Sequence, residues 1–225
     1  MKAKLLVVSL CAMGMSGAFA QSSFEGFYGQ VGIGYENVNP STSSSGLTIS
    51  GVGTLPLSTS ISSQGSFVGV ATLGYTAAIT KDFLLGIGVD YEPLNSQSGN
   101  FSYGYNGNTL NGTWKKQNSY NIFLSPATPI GKDGLLYGKV GYSGAQIQST
   151  ERGFSYTTNL SGYLLGLGYK QIISGGFYGF GEVNYASYGN VTKTYTDTSS
   201  GVNASVSNTL GANSMNAVIG IGYKF

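Results

Sequence analysis

The sequence contains no histidine, a single cysteine, a single tryptophan and five prolines, and only 9% of its 225 residues are charged. Each shortage excludes something. Without histidine there is no Ser-His-acid triad and no imidazole metal site. Soluble domains carry about 25% charged residues, so a water-facing globular surface is poorly provided for. Beyond the N-terminus there is no stretch of about 18 apolar residues, which excludes an ordinary helical membrane protein. In place of these the chain has 36 Gly, 17 Tyr and 11 Phe. Gly spread so evenly argues against long helices, and the composition points to an all-β protein.

Met1 to Ala20 reads as an export leader. Lys2 and Lys4 give a basic start, an apolar stretch runs from Leu5 to about Met15, and Ala18-Phe19-Ala20 forms a small-x-small cleavage site before Gln21. The apolar stretch is too short to span a bilayer. The expected domains are therefore a signal peptide over 1–20 and one β domain over 21–225. Cys11 lies in the leader, so the mature chain has no disulfide. Leu10 stands before it where a lipid-modified cysteine wants a small residue. Of the eleven basic residues two, Lys2 and Lys4, leave with the leader, and nine remain against nine acidic ones. The mature protein is formally neutral and offers nucleic acid no basic face.

From Phe27 the sequence alternates with period two. In Phe27–Glu36 one face carries Phe27, Gly29, Val31, Ile33 and Tyr35, and the other carries Tyr28, Gln30, Gly32, Gly34 and Glu36. Phe83–Glu92 splits in the same way. Six more segments follow, at about Ser66–Ile79, Ser119–Pro129, Leu135–Gly144, Leu160–Lys170, Phe177–Tyr188 and Ser214–Phe225. Pro126 and Pro129 are expected to shorten or bulge the fourth strand, because Pro cannot donate to a ladder. A small repeat recurs in Ile33-Gly34-Tyr35, Leu73-Gly74-Tyr75, Val140-Gly141-Tyr142, Leu167-Gly168-Tyr169 and Ile221-Gly222-Tyr223. Its Gly keeps the face opposite the aromatics small, as a narrow tube requires. Short turns near Thr80–Asp82, Gly131–Gly134 and Gln171–Gly176 alternate with long loops over about 37–65, 93–118, 145–159 and 189–213. Together these predict an eight-stranded antiparallel up-and-down β-barrel with both termini at the short-turn end.

Eight rows of Tyr, Phe, Leu and Ile do not fit inside a closed eight-stranded tube, whereas small and polar side chains do. The apolar face therefore points outward into lipid, and closure satisfies the backbone where water is missing. With these residues the chain resembles small Gram-negative outer-membrane β-barrels of the OmpA, OmpX and opacity-protein type. The resemblance is strongest at the end, where Gly220, Tyr223 and Phe225 are similar to the C-terminal signal read by the barrel assembly machinery. It implies outer-membrane location, lipid and lipopolysaccharide as surroundings, a monomer, and a host or cell-surface ligand as a further partner class. The peptidoglycan-binding domain of full-length OmpA-type proteins is expected to be absent.

Inward positions hold Glu36, Asp90, Glu92, Lys139 and Glu182, together with Lys170 and Lys224. Lys139 among so many carboxylates predicts a buried ion-pair network, since an unpaired charge there would be costly. The outer loops are the expected seat of specific function. The first, without a charge between Glu36 and Lys81, reads as a flexible flap, and the second sets Trp114 beside Lys115 and Lys116 as a candidate surface contact. No enzyme activity, cofactor or metal is expected. The readings are a structural or adhesin-like surface protein and, second, a narrow channel for small or hydrophobic solutes.

Overall fold

The computed structural model describes residues 22–105, 107–198 and 203–225. Ala18, Ala20 and Gln21 of the expected cleavage site lie outside these residues. Eight long strands form a closed antiparallel ring: β1 (Gly26–Ile49), β4 (Gln64–Thr80), β5 (Phe83–Glu92), β7 (Asn108–Ile130), β8 (Gly134–Glu151), β9 (Phe154–Ser174), β10 (Phe177–Asp197) and β11 (Ala204–Lys224). Each pairs with its neighbour in sequence, and β11 closes on β1 from Tyr28↔Lys224 upward. The short-turn end holds both the start of β1 and the end of β11, where the Phe225 amide donates to the Phe27 carbonyl. Its turns are tight: β9 runs into the last of them at Gly175, whose φ of 58° suits a residue without Cβ.

The outer face of the ring divides into belts. Phe27, Tyr75, Phe177, Tyr223 and Phe225 stand exposed at the short-turn end, with edge-on ring pairs such as Phe27–Tyr75 at 4.8 Å and Phe177–Tyr223 at 4.8 Å. A second belt of Tyr35, Phe67, Tyr91, Tyr120, Tyr163 and Tyr185 encircles the other side. Between them the exposed residues are aliphatic, among them Ile33, Leu73, Ile87, Ile122, Leu167 and Ile219. Eight residues separate Phe27 from Tyr35. At about 3.3 Å per residue and a tilt of about 40°, that is a band of roughly 20 Å, plus the rings.

Above the second belt the structure departs from the sequence reading. The long loops are mostly strand: β1 runs on to Ile49, and β2 (Gly53–Leu55), β3 (Ser58–Ile61) and β6 (Gly99–Tyr105) are added to it. The expected flexible flap is thus a built hairpin. Hydroxyl pairs across the strands hold these water-facing extensions, as at Thr48–Thr54 (2.9 Å), Thr192–Thr209 (2.7 Å) and Thr194–Ser207 (2.7 Å). Polar residues alternating with polar residues give no apolar contrast, which is why the segment reads as loop. Pro126 and Pro129 do not shorten β7 either. Its ladder to β8 skips Ser125 and Pro126, then resumes unshifted at Ala127↔Tyr137. The bulge lies at the opposite end, between Gln117 and Tyr120, where Asn118 has a φ of 49°.

The ring does not stay closed above the belt. The β9–β10 ladder ends at Gly162↔Tyr188, although β10 continues along β11 to Asp197↔Ala204 and β9 along β8 to Phe154↔Glu151. Two sheets therefore face each other outside the membrane: β2-β1-β11-β10, and β9-β8-β7-β6-β3. The ring is closed where lipid offers backbone groups no partner, and it opens where water does.

Candidate functional site

Inward side chains fill the tube in layers. At the short-turn end Phe24 tucks into the mouth beside Leu84, Ala127, Leu135 and Tyr137. Above them Lys170 is buried with its ammonium 3.7 Å from the centre of the Tyr28 ring, 4.9 Å from that of Tyr178 and 5.1 Å from that of Tyr137. These rings account for three of the inward glycines. A Cβ on Gly74 would strike Tyr28, one on Gly168 would strike Tyr137, and one on Gly222 would strike Tyr178. In three of the five Gly-Tyr repeats the small residue thus makes room for a tyrosine from another strand, while at Gly34 and Gly141 a Cβ would meet the neighbouring backbone at the Ala217 and Ile122 carbonyls. Gly168→Leu should lower the midpoint temperature of heat-modifiable gel migration, because overpacking costs about 1–3 kcal/mol; an unchanged midpoint would refute the packing account.

The first charged tier is built on Lys139 of β8. Its ammonium lies 3.1 Å from Asp90 of β5 and 2.9 Å from Glu182 of β10. Each carboxylate has a second support: the Thr72 hydroxyl donates to Asp90 at 2.7 Å, and the Tyr137 phenol donates to Glu182 at 2.7 Å. The Phe123 ring lies 4.4 Å from the same ammonium. Next comes a polar layer in which Asn184 donates to both Glu182 and Asn216 at 3.0 Å.

The second tier is built on Lys116 of β7. It pairs with Glu92 of β5 at 2.7 Å and with Glu36 of β1, which also accepts from the Ser214 hydroxyl. All three charged side chains are about 95% buried. The five residues expected in one network around Lys139 thus divide into two groups, and Glu36 and Glu92 belong to a lysine assigned to the surface. Trp114 is also buried, 1% exposed, with its indole N–H 3.2 Å from the Ser62 carbonyl. The expected contact of Trp114, Lys115 and Lys116 is therefore not an exposed cluster; of the three only Lys115 escapes full burial. The cause is the bulge at Asn118. Counted upward from Phe123, Asn121 and Ser119, alternation would turn Lys115 inward, but one extra residue inverts the phase and turns Lys116 and Trp114 inward instead. Lys224, also expected inward, is only partly buried.

Between the tiers, a cavity bordered by Glu92, Lys116, Asn121 and Ser143 has a volume of about 10 Å³, room for one water. Over the second tier Val38, Trp114, Ile147 and Leu160 form an apolar cap. Layers of aromatic, charged, polar and apolar side chains thus follow one another up the tube.

A closed eight-stranded ring, belted by aromatics and polar within, has the architecture of an outer-membrane barrel. The profile of the outer membrane protein beta-barrel domain family matches residues 5–225. The chain belongs to that family. As a barrel of the outer membrane it is similar in fold to the outer membrane protein OprG of Pseudomonas aeruginosa, at 15% identity over 91% of this chain and 99% of that one, with a TM-score of 0.56. Two further similar structures are Ail, the attachment invasion locus protein of Yersinia pestis (16% identity, 89% and 99% covered, TM-score 0.45), and Neisserial surface protein A (13%, 89% and 98%, 0.48). No curated protein sequence matches the chain. At the end of this outer-membrane barrel, Tyr223 and Phe225 point outward with ring centres 5.3 Å apart, and Gly220 lies against the β1 backbone at Val31 and Gly32.

Proposed function

We propose that this outer-membrane barrel is a non-enzymatic, non-conducting platform. Its membrane ring is a rigid base for two extracellular sheets that meet lipopolysaccharide, a host surface or another cell-surface ligand. The observation that carries this reading is the packed lumen. Lys116 and Lys139 with their four carboxylates bridge the tube at two heights, and the space between them holds no more than a water. β1 continues fourteen residues beyond Tyr35, about 35 Å at a tilt of about 40°, which sets the sheet tips clear of the headgroups. Catalysis is disfavoured because the chain has no His. Asp90 and Glu92, the nearest thing to an acid/base pair, are each committed to a different lysine. Export through a leader cut before Gln21, and delivery by an assembly machinery reading Gly220, Tyr223 and Phe225, belong to the same reading.

The rival reading is a narrow channel. Refolded protein in planar bilayers should give no reproducible single-channel steps, and a variant with Lys116, Glu36 and Glu92 all replaced by Ala should stay silent too, because the Lys139 tier still bridges the tube. Steps from the unaltered protein would overturn the platform reading in favour of transport.

A further inference from the structure

The two extracellular sheets enclose a cavity of about 260 Å³, and its walls come from both. Thr42, Val191, Lys193, Tyr195, Asn208 and Leu210 belong to the sheet containing β1 and β10. Phe101, Tyr103, Ser149, Glu151, Tyr156 and Thr158 belong to the sheet containing β9 and β6. We infer that this cleft is a binding site for a neutral sugar residue at the end of a surface glycan. The inference rests on the reading that the extracellular sheets are the working part of the protein.

Four observations point to that chemistry. First, the size: drug-sized pockets run to about 300–1,000 Å³, so this one suits a single ring. A second cavity shares Tyr103, Glu151 and Asn208 with it and continues past Leu57 and Leu110 toward the tips, which gives the rest of a chain a way out. Second, the walls present aromatic rings, Phe101, Tyr103, Tyr156 and Tyr195, on which the C–H face of a sugar can pack.

Third, the cleft holds a buried acceptor that no wall group satisfies. The Asn208 side-chain oxygen is buried and has no partner, a costly state for an amide. Glu151 makes no salt bridge among the described residues. The Lys193 ammonium gives one of its three N–H groups to the Thr157 carbonyl across the seam, at 3.0 Å, and is thereby held on the wall. A ligand carrying hydroxyl or N–H groups would satisfy Asn208 and offer Glu151 a donor. The Tyr103 phenol, flanked by Thr42, Glu151 and Tyr195 and held neutral by burial, which pushes its pKa up, supplies an O–H in return. Fourth, the charges balance. The walls carry one charge of each sign, Glu151 and Lys193, which leaves no net surplus for an anionic sugar or for an organic cation. Hydroxyl groups, which both donate and accept, satisfy every one of these groups.

The test is saturation-transfer NMR on the full mature chain refolded in dodecylphosphocholine, which has no sugar headgroup. The probes are the methyl glycosides of glucose, galactose, mannose and N-acetylglucosamine, with sucrose octasulfate and phenethylamine as anionic and cationic controls. At least one neutral glycoside should receive saturation. Asn208→Ala should weaken it about tenfold, the fold-change of one lost hydrogen bond, and Glu151→Gln should weaken it less, while both variants keep the heat-modifiable band of a folded barrel. No transfer to any neutral glycoside, transfer to a charged control alone, or transfer that Asn208→Ala leaves unchanged would each overturn the site. Bilayer conductance reports on the platform reading separately, so either can fail without the other.

Discussion

Lys116→Met should destabilise the barrel by about 3–5 kcal/mol, the cost of stranding buried charge by removing one partner of an ion pair. The loss is expected to be at the upper end, because one lysine serves two carboxylates. Glu36 would keep the Ser214 hydroxyl, but Glu92 would lose its only ion-pair partner among the described residues. The membrane leaves few escapes, since lipid surrounds the ring and the apolar cap of Val38, Trp114 and Ile147 lies above. Urea unfolding in lipid vesicles measures the effect, and Trp114, the only tryptophan, reports on this layer directly. The neutral triple variant Lys116→Met, Glu36→Gln and Glu92→Gln should recover most of the loss, because well-packed neutral groups often replace a buried ion pair without penalty. If the single variant unfolded at the same urea concentration as the parent, the tier would carry no stability.

Lys139→Met should have an effect of the same size, about 3–5 kcal/mol, in the tier below. Here both stranded carboxylates keep a neutral donor, Asp90 from Thr72 and Glu182 from Tyr137, which softens the loss relative to Lys116. The Phe123 ring also loses its cation, worth about 0.5–2 kcal/mol. Adding Asp90→Asn and Glu182→Gln should restore stability, because the amide oxygens still accept from Thr72 and Tyr137. Failure of that rescue, with the single variant destabilised, would show that packing rather than charge balance is at stake. The midpoint of heat-modifiable migration gives the ranking.

How much of this was readable from residues alone depends on apolar contrast. Where Phe27, Val31, Ile33 and Tyr35 alternate with Tyr28, Gln30, Gly34 and Glu36, lipid and lumen write different alphabets on one strand, and strand, face and closure follow. Glu36, Asp90, Glu92, Lys139 and Glu182 were legible as inward for the same reason. Lys116 and Trp114 were not, because one residue at Asn118 resets the count. The only available signal was a break in alternation at an Asn, a residue that tolerates a positive φ. Above the belt Ser and Thr stand on both faces, so the strands carry no pattern to read. The seam between β9 and β10 depends on where two distant segments stop pairing, which no local window contains.

The one-residue bulges at Gln117–Tyr120 and Tyr188–Val191 also act as shock absorbers. Each lies just outside the outer aromatic belt, at the point where a strand stops answering to lipid. A residue gained or lost farther out can be taken up there as a change of phase, without sliding the rows that meet the bilayer. The part that meets the outside world is thereby free to change length and sequence, while the part that holds it in the membrane stays in step.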